Sequence, residues 1–189
     1  MRPAREIATT ATAPVAVIGL GNVLLGDDAF GPTVIALLRA GWDFPGDVDL
    51  IDGGTPGLHL VASVHGRDAL VLIDAVAGSG APGELRLYRR EDLARLPILS
   101  RVSPHDPAVL EALAIADLAG RGPRTVLVVG AVPASLAMDT NLSAPLRAAC
   151  PAAAALVVDE LARLGLAPRA RRDGAPPDAW WLRHATESP

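Results

Sequence analysis

Three runs in this 189-residue sequence place an acid where an apolar stretch gives out: "GLGNVLLGDD" (19–28), "LIDGG" (50–54) and "LIDAV" (72–76). The first looks like a phosphate-cradling turn, because a glycine-rich loop follows an apolar run and leads into a helical pattern. Yet Leu24 stands where a G-x-G-x-x-G turn needs its third glycine, and Asp27 and Asp28 follow at once. Carboxylates repel phosphate and attract cations. All 17 basic residues are arginine, so neither a Walker-type lysine nor a lysine Schiff base is available. Ligands of open α/β sheets bind beyond the carboxyl ends of the strands, so Asp28, Asp52 and Asp74 are expected along one edge. A cation there also wants a nitrogen ligand. Of His59, His65, His105 and His184, only His105, in "VSPHDP" ahead of a helix, suits that role. His184 lies near the end of the chain, and His59 and His65 are six residues apart in a short helical stretch, which points them apart. Two carboxylates and one imidazole make a site for a divalent transition metal with open positions. Purely structural roles compete: Asp28 or His105 could start a helix, and Asp74 could accept turn hydrogen bonds.

These residues converge only if the segments between them alternate correctly. "PVAVIGLG", "DVDLIDGG", "DALVLIDAVAG" and "TVLVVGAVP" have the apolar, β-branched character of buried strands, and the alternating "ELRLYR" suits a half-exposed edge strand. Helical patterns fall in "PTVIALLRA", "GLHLVASVH", "SPHDPAVLEALAIADLAG" and "SAPLRAACPAAAALVVDELARLG", the last expected to kink or break at Pro151. The order predicts a three-layer α/β/α sandwich around a mainly parallel five-stranded sheet. A flexible leader over 1–13, one α/β domain over 14–166 and a flexible C-terminal tail over 167–189 complete the expected organisation.

Composition narrows the classes further. A net charge of −4 argues against nucleic-acid binding. No run reaches the roughly 18 apolar residues of a membrane span. The single cysteine, Cys150, forms no intramolecular disulfide, which suits a cytoplasmic setting; its alanine-rich helix suggests packing rather than thiolate chemistry. No G-x-S-x-G elbow is present. Glu84, Glu91, Asp92, Asp159 and Glu160 are expected as solvated charges.

Taken in order, "GLGNVLLGDDAFGP", "DGGTPG", "LIDAVAG" and "SPHD" resemble the maturation endopeptidases of nickel–iron hydrogenases over residues 15–164. The resemblance implies a hydrolase, here an aspartyl-type protease, that removes a short C-terminal extension from a hydrogenase large-subunit precursor after nickel insertion. It implies a catalytic and nickel-sensing set of Asp28, Asp74 and His105, the residues the strand-end argument selects. It also implies substrate recognition by Asp52, Gly53, Gly54 and Thr55. Nickel would arrive with the substrate, no tightly bound metal is expected in the isolated enzyme, and a monomer is expected. Two other readings remain open at this point: a non-catalytic metal-sensing or subunit-escort module on the same fold, and a nucleoside hydrolase or phosphorylase.

Overall fold

The computed structural model describes residues 13–93, 106–172, 176–179 and 181. In chain order these form strand β1 (Val15–Leu20), a 3₁₀ turn η1 (Gly26–Ala29), helix α1 (Phe30–Gly41), β2 (Trp42–Asp43), β3 (Val48–Gly54), a second 3₁₀ turn η2 (Gly57–His59), α2 (Leu60–Val64), β4 (Ala69–Ala75), β5 (Leu85–Arg89), α3 (Arg90–Leu93), α4 (Asp106–Leu118), β6 (Thr125–Ala131), α5 (Ala144–Arg163) and β7 (Arg169–Ala170).

The main sheet has the expected five strands, in the order β3-β1-β4-β6-β5. All neighbours are parallel except the antiparallel pair β5–β6 at one edge. The chain leaves β1 for β3 on one side and returns to β4 on the other, so β1 and β4 flank the point where winding reverses. Such a switch point opens a crevice beyond the strand ends.

The apolar strands alternate between two cores, one on each sheet face. Val15 and Val17 of β1, Val71 and Ile73 of β4, and Leu127 and Val129 of β6 face α1 and α5. Ala16, Ile18 and Leu20, Leu70 and Leu72, and Val126 and Val128 face α2 and α4. Burial on both faces explains why β1 and β4 read as continuous apolar runs, and the period of two carries Asp74 to the α4 side.

The break allowed for in α5 at Pro151 does not occur. α5 continues through Pro151 from Ala144 to Arg163, with Ser143 as N-cap and Pro145 in its first turn. Pro151 points to solvent, so only the hydrogen bond its missing N–H would have made is lost. The described part of the expected flexible tail packs on the body. β7 pairs with β2, the Arg171 amide donates to the Gly41 carbonyl at 2.8 Å, and Ala179 and Trp181 enter the α1–α5 core. The Trp181 indole lies 3.4 Å from the Thr33 hydroxyl, to which it donates. Trp180 and residues 1–12 of the expected leader lie outside the described residues.

Glu160 is also not the solvated charge expected of it. Its carboxylate is buried against two guanidinium groups, Arg89 from β5 at 2.7 and 3.0 Å and Arg163 one turn on at 2.7 and 2.9 Å. Arg163 above all, then Arg89, holds the carboxyl down at about 2 against the opposing effect of burial. This staple ties α5 to the edge strand. A carboxyl with a depressed folded pKa stabilises fully above its unfolded value, about 4.3, and loses that contribution as pH falls towards the folded value. Urea midpoints should therefore drop between about pH 4.5 and pH 2, and Glu160→Gln should remove that part of the pH dependence while lowering stability at neutral pH.

Candidate functional site

β1 ends at the switch point, and glycine makes the departure possible. Gly21 takes φ +135°, a conformation open to few other residues, and donates its amide to the Gly54 carbonyl of β3 at 2.9 Å. The chain then turns through Asn22–Leu25 into η1 and α1. At Gly31, in the first turn of α1, an added Cβ would collide with the backbone of Leu20 and with the Ile73 carbonyl. The helix start is therefore pressed onto the ends of β1 and β4, and η1, with both acids, sits over the crevice.

The two adjacent acids face different partners. Asp28 is 3% exposed, and its Oδ2 accepts the Asn22 amide at 2.7 Å. Asp27, also buried, turns to the segment after β6. Its Oδ2 accepts the amides of Ala134 and Ser135 at 2.7 and 3.2 Å, and its Oδ1 accepts that of Ser143, the α5 N-cap, at 2.7 Å. Neither acid caps α1. The N-cap is Ala29, with no side-chain hydrogen bond, so the helix starts slightly ahead of Pro32.

Asp74 closes β4 on the other side of the switch point. It is 3% exposed and its Oδ1 accepts the Ala75 amide at 2.8 Å. η1 packs against β4, so the structure brings Asp28 and Asp74 to one edge, as their positions in sequence suggest. Asp52 lies on β3, exposed, with its Oδ1 accepting the Gly54 amide at 3.2 Å. Gly53, Gly54 and Thr55 continue along the same edge, and Gly54 turns with φ +53°. His105 lies outside the described residues. The next residue, Asp106, begins α4, whose far end leads into the bottom of β6. A 13-residue helix spans about 20 Å, so α4 begins near the edge where the strands end, on the face that Asp74 shares. Among the described residues no three of His, Cys, Asp and Glu come together to hold a metal. His59 and His65 are exposed beside α2, and His184 is outside the described residues. Cys150 is confirmed as a packing residue: burial pushes its thiol up to about 12, and it lies 3.2 Å from the Leu146 carbonyl.

Two buried carboxylates at a switch point can share a divalent cation or take a proton from an attacking water. The residues that sequence reasoning undervalued are Asp27, Asn22 and Gly31. The signal for Asp27 and Gly31 was the compact "GDDAFGP" run, where acids and glycine sit too close together for all to be ligands.

The fold and the acids thus define an α/β protein with aspartates gathered at one edge of its sheet. The family model for hydrogenase maturation protease matches residues 32–160, a span that includes Asp74 and His105 and starts four positions after Asp28. The hydrogenase expression/formation protein HoxM of Azotobacter vinelandii is 36% identical over 165 residues, 86% of this chain and 79% of that one. The hydrogenase 2 maturation protease of Escherichia coli strain K12 is 32% identical over 130 residues, 68% of this chain and 79% of its own. Among solved structures, the hydrogenase maturating endopeptidase HybD from E. coli superposes with a TM-score of 0.79 at 30% identity, covering 85% of this chain and 99% of that one. The chain belongs to the hydrogenase maturation protease family, whose members are peptide-bond hydrolases. That membership favours the endopeptidase reading over the sensing module and the nucleoside hydrolase.

The opposed directions of the acids separate their substitutions. In Asp27→Asn one of the two oxygens becomes an NH₂ donor facing a backbone donor, so at least one buried amide loses its acceptor, a loss of about 1–3 kcal/mol. Asp28→Asn keeps an oxygen for the Asn22 amide and should unfold within about 1 kcal/mol of wild type. Urea unfolding of the two variants checks this order.

Proposed function

We propose that this protein is the endopeptidase that removes the C-terminal extension of a nickel–iron hydrogenase large-subunit precursor once nickel has been inserted. Support comes from family membership and from one structural observation: Asp28 and Asp74 are buried on the two sides of the switch point, where a substrate reaches the strand ends. On this reading nickel is cargo of the substrate, held there by cysteine thiolates. Asp28 and Asp74, with His105 ahead of α4, complete its coordination and so dock the precursor. The Asp52–Thr55 stretch at the end of β3, with Asp52 and Thr55 exposed, lies next along the edge and contacts the substrate chain. In the hydrolytic step a water oxygen attacks the scissile carbonyl and its proton passes to a carboxylate. Collapse of the tetrahedral species breaks the C–N bond, and the proton goes to the departing amine. Docking by nickel is the first role, and an aspartate is the base.

No helix among the described residues is long and apolar enough to cross a membrane. We place the enzyme in the cytoplasm, acting as a monomer, a setting that suits its buried, unpaired cysteine.

The test is cleavage of purified precursor, followed as a shortened large subunit on a gel. Nickel-loaded precursor should be cut and nickel-free precursor left intact; equal cutting of both would overturn the docking role. Asp28→Asn should slow cleavage at least tenfold, equivalent to about 1.4 kcal/mol in the barrier, at near-normal stability. Full activity in that variant would return Asp28 to a structural role.

A further inference from the structure

The segment that Asp27 clasps carries side chains the catalytic reading does not use. Residues 24–26 and 135–139 run side by side. The Asp139 amide donates to the Leu24 carbonyl at 3.0 Å, the Gly26 amide to the Asp139 carbonyl at 2.7 Å, and the Asp27 amide to the Ser135 carbonyl at 3.1 Å. Leu25 and Asp139 form a parallel bridge. The Asp27 carboxylate, with its three backbone amides, locks the pairing from beneath.

Large apolar side chains stand out of this otherwise polar pairing. Leu24 is 49% exposed and Met138 is 88% exposed, with Leu136 also in solvent. In a parallel pairing of 25 with 139, residues 24 and 138 are neighbours on the two segments. Of the seven large apolar side chains exposed among the described residues, these two short segments hold three. A 190 Å³ cavity opens beside them, lined by Gly26, Asp27, Ser135, Met138, Asp139 and Leu142. Exposed apolar groups held on a rigid backbone are poor for solubility and good for binding, because little entropy is lost when a partner covers them.

The occupant follows from position. Leu24 is two residues from Asn22, whose amide contacts the Asp28 carboxylate, and residues 132–143 leave the end of β6, the strand beside Asp74. The rim is therefore continuous with the edge at which a peptide substrate must present its scissile bond. We propose that Leu24, Leu136 and Met138 form a docking rim for an apolar segment of the large-subunit precursor beside its cleavage point, with Asp27 as the positioning residue that holds the rim to the Asp28 turn. This rests on the endopeptidase reading above.

The experiment compares wild type with Leu24→Asp, Met138→Asp and the milder Met138→Ser, using nickel-loaded precursor. Leu118→Asp, an equally exposed apolar site on α4, serves as control. The rim variants should raise KM and the dissociation constant for precursor about tenfold, leave kcat within about threefold, and melt as wild type does. The control should change neither constant. Unaltered KM and binding in the Leu24 and Met138 variants, with wild type cleaving normally, would overturn the rim and leave the endopeptidase reading standing. A fall in kcat at constant KM would also overturn it, since the effect would then run through Asp28. If wild type binds precursor without cutting it, the endopeptidase reading fails, and the rim stands only if the variants lose that binding. No binding by wild type would overturn both.

Discussion

The site depends on one close approach of backbone to backbone. The first turn of α1 can press onto β1 and β4 because residue 31 has no side chain to hold it off the Leu20 backbone and the Ile73 carbonyl. A helix standing even one methyl group farther away would lift η1 from the strand ends. Asp28 would then leave the crevice that Asp74 lines. Sheet order, the turn at Gly21 and the start of α1 are thus fixed together, and the burial of both acids follows from the same contact.

The chemistry of that turn is a division of labour between neighbours. A 3₁₀ turn has three residues per turn, so successive side chains diverge by about 120°. Asp27 and Asp28 therefore serve different surroundings although they are adjacent in sequence. Asp27 meets three backbone amides from the segment between β6 and α5. It ties the end of the sheet to the α5 N-cap, and through it the 134–143 segment is held at the same edge. Asp28 is left facing the crevice. One charge organises the turn, and on the proposed reading the next meets the substrate.

Much of this was legible in the sequence because it follows from simple periodicities. Continuous apolar runs marked β1, β4 and β6 as buried on both faces, and acids near the ends of β3 and β4, the strands on either side of β1, located the edge. The individual jobs of Asp27 and Asp28 were not legible. They depend on a contact across more than a hundred residues, between the turn at 27 and the amides of 134–143, and a local pattern holds no trace of it. Glu160 escaped for a similar reason. Its helix face looks polar and solvated, and only the antiparallel return of β5 brings Arg89 against it. The packing of the C-terminal segment was not legible from composition: proline, arginine and small residues hold no trace of the pairing of β7 with β2 or of Trp181 joining the α1–α5 core. His105 falls outside the described residues, so the third member of the proposed set rests on resemblance and on the placement of α4.

The two ends of the sheet are built for different purposes. At the bottom, buried Glu160 is saturated by two guanidinium groups, an arrangement that ties α5 to β5. At the top, the Asp28 and Asp74 carboxylates are buried at the strand ends. On the proposed reading their place there has a use. Two oxygen ligands and an imidazole, with no thiolate, make a weak site for a soft-leaning metal such as nickel, and a strong one only when the substrate's own thiolates complete the shell. An edge assembled this way discriminates without a separate sensor. Precursor lacking nickel offers nothing to join the carboxylates, whereas loaded precursor brings metal, thiolates and scissile bond together in one encounter.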